Sequence, residues 1–120
     1  MQRLLLISFI AGMTAAYFYF HRRSILQGKE SRLREDLFAL RTVVSEYAFD
    51  QRKAPRTVGD LLQQRYLREM PVDPITGSSK TWRIVMENSE NAIDNSAPGI
   101  REIKSGSTKT GLNGKRYSDW

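Results

Sequence analysis

The strongest constraint on the fold is an uncharged apolar run, Leu4 to Phe20, that passes without a helix breaker into a one-sided pattern reaching about Tyr47. The run spans 17 residues. As a helix it is about 25 Å long at 1.5 Å per residue, against a hydrocarbon core of about 30 Å. Tyr17 and Tyr19 fall where an interfacial aromatic belt belongs, just ahead of His21, Arg22 and Arg23. Three readings compete for this stretch. A cleaved secretory signal fits Arg3, the apolar stretch and the small residues Thr14 to Ala16. A buried core helix would need partners on every side, and a chain of 120 residues has few to offer. The reading adopted is an uncleaved anchor, with residues 1–20 as a transmembrane segment and residues 21–120 as a soluble head.

From Leu26 the spacing becomes heptad-like. Leu26, Leu33, Leu40 and Tyr47 recur every seven residues, with Leu37 and Val44 interleaved. This stripe predicts the helix face on which a small sheet packs. Glu30 reads as a break in the interleaved series. Arg32, Arg34, Glu35, Asp36, Arg41 and Glu46 fall off the stripe and are expected to face solvent. The continuous helix, to about residue 50, would make the molecule lollipop-shaped.

Asp50 to Lys53 ends the helix, and Ala54-Pro55 requires extended backbone. Thr57 and Asp60 have capping-box spacing for a short helix that buries Leu61, Leu62, Tyr66 and Leu67. Met70 to Gly77, with two prolines and a glycine, predicts an ordered loop. Thr81–Met86 and Gly99–Lys104 read as strands, joined by a polar connection from Glu87 to Pro98. Trp120 is expected to pack back onto the sheet or helix. The fold class that follows is α+β: a long N-terminal helix packed on a small antiparallel sheet.

Composition limits the chemistry. The chain has no cysteine, which excludes disulfides and thiolate metal sites. Its net charge is +6, and since residues 1–20 carry only Arg3, the head holds 18 basic and 13 acidic residues, or +5. The two signs are interspersed with little aromatic interleaving, which favours a solvated mixed surface over a nucleic-acid-binding one. His21, the sole histidine, sits among arginines at the membrane edge and reads as interfacial. Asp73, between prolines, reads as a turn stabiliser and not as a catalytic acid. No nucleophile–base pair or phosphate-cradling glycine motif is present, so no catalytic residue is assigned and no enzyme is expected.

An ordered set of residues resembles a known family. It comprises Leu33-Arg34-Glu35-Asp36-Leu37, Leu40-Arg41, Tyr47, Asp50, Pro55-Arg56-Thr57, Asp60-Leu61, Tyr66-Leu67, the loop Pro71-Val72-Asp73-Pro74-Ile75-Thr76-Gly77, Trp82, and the ending Ser105-Gly106-Ser107, Gly114 and Tyr117-Ser118-Asp119-Trp120. Together these resemble the major pseudopilin of bacterial type II secretion systems, a type IV pilin-like protein. The resemblance implies a pilin-like fold anchored once in the inner membrane with its head in the periplasm. It also implies a homo-oligomeric fibre built through the N-terminal helix, with other pseudopilins and the inner-membrane assembly platform as partners, serving export of folded proteins. A DNA-uptake or twitching apparatus, and a non-polymerising anchored accessory protein, are the alternatives.

Several departures from the family pattern bear on these expectations. The basic leader, the glycine cleavage position and the Phe-Thr-Leu-Ile-Glu start of the family are absent; Gln2 stands near the usual glutamate and Tyr19 near the usual proline. Either the start lies further upstream or this is a divergent, unprocessed member. Family members bind calcium in the C-terminal loop, but residues 106–116 here contain no carboxylate. Asp119 is the one nearby acid that could contribute a ligand, so no cofactor is assigned and calcium is not expected. The positive-inside rule taken alone would place Arg22, Arg23, Lys29, Arg32 and Arg34 in the cytoplasm. The family orientation is adopted over it, because a leader ahead of Met1 would restore cytoplasmic positive charge.

Overall fold

A computed structural model describes residues 1–88, 90 and 98–120. Its first element, α1 (Gln2–Gln51), is a single helix of 50 residues, about 75 Å long at the standard rise. The chain places no proline before Pro55, and Gly12 and Gly28 are tolerated inside the helix. The rod dominates the shape: the principal extents are 78 × 28 × 19 Å and the radius of gyration is 21.1 Å, against about 14 Å for a compact domain of this length.

Helix α1 ends at Arg52 in the left-handed conformation, with φ 55° and ψ 26°. Ala54-Pro55 then carries the chain to α2 (Val58–Gln63), whose Thr57 and Asp60 form the capping box that their spacing predicted. Thr57 Oγ1 accepts from the Asp60 N–H at 3.3 Å, and Asp60 Oδ2 accepts from the Thr57 N–H at 3.2 Å. Leu61 is fully buried while Leu62, Tyr66 and Leu67 are half-buried. Tyr66 and Leu67 lie beyond α2, after Arg65 reverses the chain at φ 62°.

Strands β1 (Arg83–Met86) and β2 (Ile100–Lys104) pair antiparallel, with Ile84 opposite Ile103 and a register shift between Val85 and Met86. Both expected strands are therefore present, each slightly trimmed at its start. Thr81 and Trp82 precede β1 because Trp82 turns inward: it is 7% exposed and its Nε1–H donates to the Pro71 carbonyl at 2.7 Å. Most of the connection expected over Glu87 to Pro98 lies outside the described residues. A final 3-10 turn covers Tyr117–Asp119.

The architecture is α+β, a long N-terminal helix with a two-stranded antiparallel sheet. The core joins Leu33, Leu37, Leu40, Val44 and Tyr47 of α1 to Leu61, Trp82, Ile100, Ile103 and Tyr117. β2 carries the sheet's contact with α1. Burying each such side chain contributes about 1.5–3 kcal/mol.

Candidate functional site

The candidate functional surface is α1, whose two halves are presented differently. Every residue from Met1 to Ile25 is exposed, among them Leu4 at 72%, Phe9 at 65%, Phe18 at 61% and Phe20 at 66%. The helix is long and apolar enough to cross a membrane by length and composition, and none of its apolar window is covered by the other described residues. Among the described residues nothing buries Leu4 to Phe20, which counts against the core-helix alternative. At the end of the run Tyr17 stacks on His21, with ring centroids 5.8 Å apart, and an Arg23 guanidinium N–H donates to the Tyr19 hydroxyl at 3.4 Å.

The second half is gripped by the head along the expected stripe. Leu33, Leu37, Leu40, Val44 and Tyr47 are all buried, and Leu26, at the rim, is half-buried. Glu30 corrects the reading of the stripe. It does not interrupt the buried face but belongs to it, being 3% exposed. Its Oε1 accepts from the Leu112 N–H at 2.7 Å and from the Tyr117 hydroxyl at 2.8 Å. A buried carboxylate needs such donors to remain in the core. Burial first, and then the Glu30 carboxylate, push the Tyr117 hydroxyl up to about 12. Gly111 is required here because a Cβ would lie 2.8 Å from the Trp120 ring, 3.0 Å from Glu30 Oε1 and 3.0 Å from the Tyr117 ring.

Trp120 folds back onto α1, as expected. Its ring meets Tyr117 edge-on at 5.1 Å, and the Arg34 guanidinium lies 4.6 Å over it. Arg41 is a second correction, since it does not point into solvent. It donates to the Trp120 main-chain oxygen at 2.6 Å and pairs with Glu102 of β2 at 3.0 Å. Asp36 is a third: its side chain is only 13% exposed, it faces Arg32 at 3.6 Å, and its Oδ2 is buried with no hydrogen-bond partner among the described residues. Burial holds the Asp36 carboxyl above the usual carboxylate value, against the opposing pull of Arg32.

The loop around Asp73 forms a second knot. Asp73 is fully buried; its Oδ1 accepts from the Ile75 N–H at 2.8 Å and the Thr76 N–H at 3.3 Å, the turn-stabilising role its position between prolines suggested. Its other oxygen accepts from the Ser105 hydroxyl at 2.6 Å, a tie to the end of β2 that the sequence reading missed. Pro71 and Pro74 are half-buried, Thr76 is exposed, and Gly77 closes the turn at φ +75°.

Asp119 is exposed and borders a groove of about 490 Å³ with Arg34, Phe38, Arg41, Lys115 and Trp120. Among the described residues no three His, Asp or Glu side chains converge on a point that could hold a metal ion. Glu30 carried the one signal that could have revealed its role: it sits seven residues before Leu37, on the stripe. Comparison with protein-family models, with curated proteins and with solved structures gave no match for this chain.

Proposed function

We propose that this chain is a pilin-like structural subunit of a type II secretion pseudopilus, anchored by residues 4–20 and assembling through α1 to help export folded proteins. The observation that carries the reading is the unbroken helix whose apolar half is wholly uncovered while its other half is clasped by a small α+β head. The residue-by-residue resemblance of the loop Pro71 to Gly77 and the ending Tyr117 to Trp120 adds the family. An uncovered apolar helix must find lipid or other helices. One segment can use both in turn, as membrane anchor before assembly and as fibre core after it. On this reading the head lies in the periplasm of a bacterium with two membranes, the partners are further copies, other pseudopilins and the assembly platform, and the chain catalyses nothing.

The experiment uses the absence of native cysteine. Pairs of single cysteines along residues 4–20 should cross-link the chain into ladders in membranes that contain the secretion apparatus, and deletion should leave exoproteins trapped in the periplasm. Normal secretion in the deletion strain, with cross-linking confined to monomers, would sink the proposal.

A further inference from the structure

The rim of the head nearest the apolar half of α1 has its own chemistry. Leu26 is the first residue of the helix that the head covers. There a cavity of about 190 Å³ is bounded by Leu26, Lys29, Ile75, Lys109, Thr110 and Tyr117. Two lysines from distant parts of the chain thus line one hollow together with apolar residues and Thr110. Both are exposed, and neither is ion-paired among the described residues. The adjacent carboxylate, Glu30, is turned into the core and held by Tyr117 and the Leu112 N–H.

Below this rim nothing offsets the positive charge, because residues 1–29 contain no Asp or Glu while Arg22 and Arg23 follow the apolar run directly. Arg22 and Arg23 lie about 3–5 Å beyond Phe20 along the axis and Lys29 about 13 Å. A headgroup layer is about 5–7 Å deep on each side. Helical side chains lean toward the N-terminus, and a lysine stem can extend its ammonium back toward an interface. Resting on the membrane-anchor reading above, the geometry points to a binding site in which Lys29 and Lys109 hold the phosphate of an anionic phospholipid. Thr110 donates to the same group, and Leu26 with the exposed helix below receives the glycerol and the acyl chains. A free phosphate would satisfy the two ammonium groups but would leave the apolar wall and helix unused, whereas a lipid uses all three.

The test is photo-cross-linking of the full chain in vesicles with phosphatidylglycerol or phosphatidylcholine carrying a photoactivatable headgroup, alongside an acyl-chain-labelled lipid. Headgroup-labelled phosphatidylglycerol should mark the peptides containing Lys29 and Lys109. Lys29→Gln and Lys109→Gln should each lower that yield about five-fold, the weight of one cation at an anionic surface. Lys53→Gln, just past the far end of α1, which lies about 33 Å from Lys29 along the axis, should not. Equal labelling by phosphatidylcholine, yields indifferent to both lysine variants, or displacement by excess inorganic phosphate would each overturn the lipid site. The acyl-chain label separates the two claims. If it marks residues 4–20 while headgroup labelling fails, only the lipid site falls; if it misses them, the membrane reading falls too.

Discussion

The two halves of α1 share one backbone geometry and differ in what their side chains are given to touch. From Leu4 to Phe20 the apolar residues surround the helix and the described residues supply no cover. From Leu26 to Tyr47 the large apolar residues, Phe38 aside, lie toward one face, and the head covers that face from Leu26 onward. Helix formation is therefore common to both halves, whereas burial is internal in one and left to the surroundings in the other. Stability of the head and placement of the molecule are thus separable properties of a single element.

The largest expected effect tests that separation directly. Leu40→Asp should unfold the head, costing more than about 4 kcal/mol, because it places an unpaired charge at a position with no exposure. Ile10→Asp should leave the head's thermal transition in place, seen by circular dichroism in detergent, while abolishing membrane partition. A head that melts equally in both variants would break the comparison.

Next in size is the clasp. Glu30→Ala should cost about 3 kcal/mol, since it strips the acceptor from the Tyr117 hydroxyl and the Leu112 N–H. Glu30→Gln, which keeps an acceptor oxygen, should cost less than half as much in urea denaturation. Equal losses would show that charge and not hydrogen bonding holds the corner together.

A smaller effect sharpens the picture at high pH. The folded Tyr117 hydroxyl keeps its proton to about 12, whereas an unfolded tyrosine releases it near 10. The native state thus binds more protons over that window, so stability falls as pH rises from 10 toward 12. Tyr47, also raised by burial and by the Asp60 charge, adds to the same limb. Tyr117→Phe should flatten the fall, as read from melting temperature against pH, without removing Tyr47's share.

The smallest expected effect is at Asp36. Its folded pKa is raised, so its ionisation weakens the head as pH rises through that value. Asp36→Asn should raise stability by under about 1 kcal/mol, because relief of the unpartnered oxygen outweighs a solvent-facing partnership with Arg32 worth a few tenths. A clear loss of stability on urea denaturation would give the Arg32 pair more weight than its 3.6 Å separation suggests.

What could be read in the sequence was what depends on near neighbours. The heptad spacing of Leu26, Leu33 and Leu40, the Thr57–Asp60 box and the Asp73 turn all involve residues within a turn or two of one another. Glu30, Arg41 and Ser105 were misread or missed because their partners lie far along the chain. Glu30 meets Tyr117 across 87 residues, Arg41 meets Trp120 across 79, and Ser105 meets Asp73 across 32. A charged residue on an apolar stripe looks like an interruption until the donor that justifies it is known. The strands Arg83–Met86 and Ile100–Lys104 were visible from their β-branched content. Their starts were set by distant contacts: Trp82 turns to Pro71, and the Ile100 N–H donates to the Pro55 carbonyl at 2.6 Å.

The unbroken rod has a mechanical consequence. A push or pull applied to residues 4–20 runs along one continuous spiral, where it is shared by backbone hydrogen bonds in parallel with the axis, and it reaches the head as shear across the buried stripe. A sideways load instead bends the rod. Where the rod enters the head, Gly28 has no side chain and nothing within 4 Å of its Cβ position, so bending there meets little side-chain resistance. The molecule is stiff in thrust and compliant at its neck.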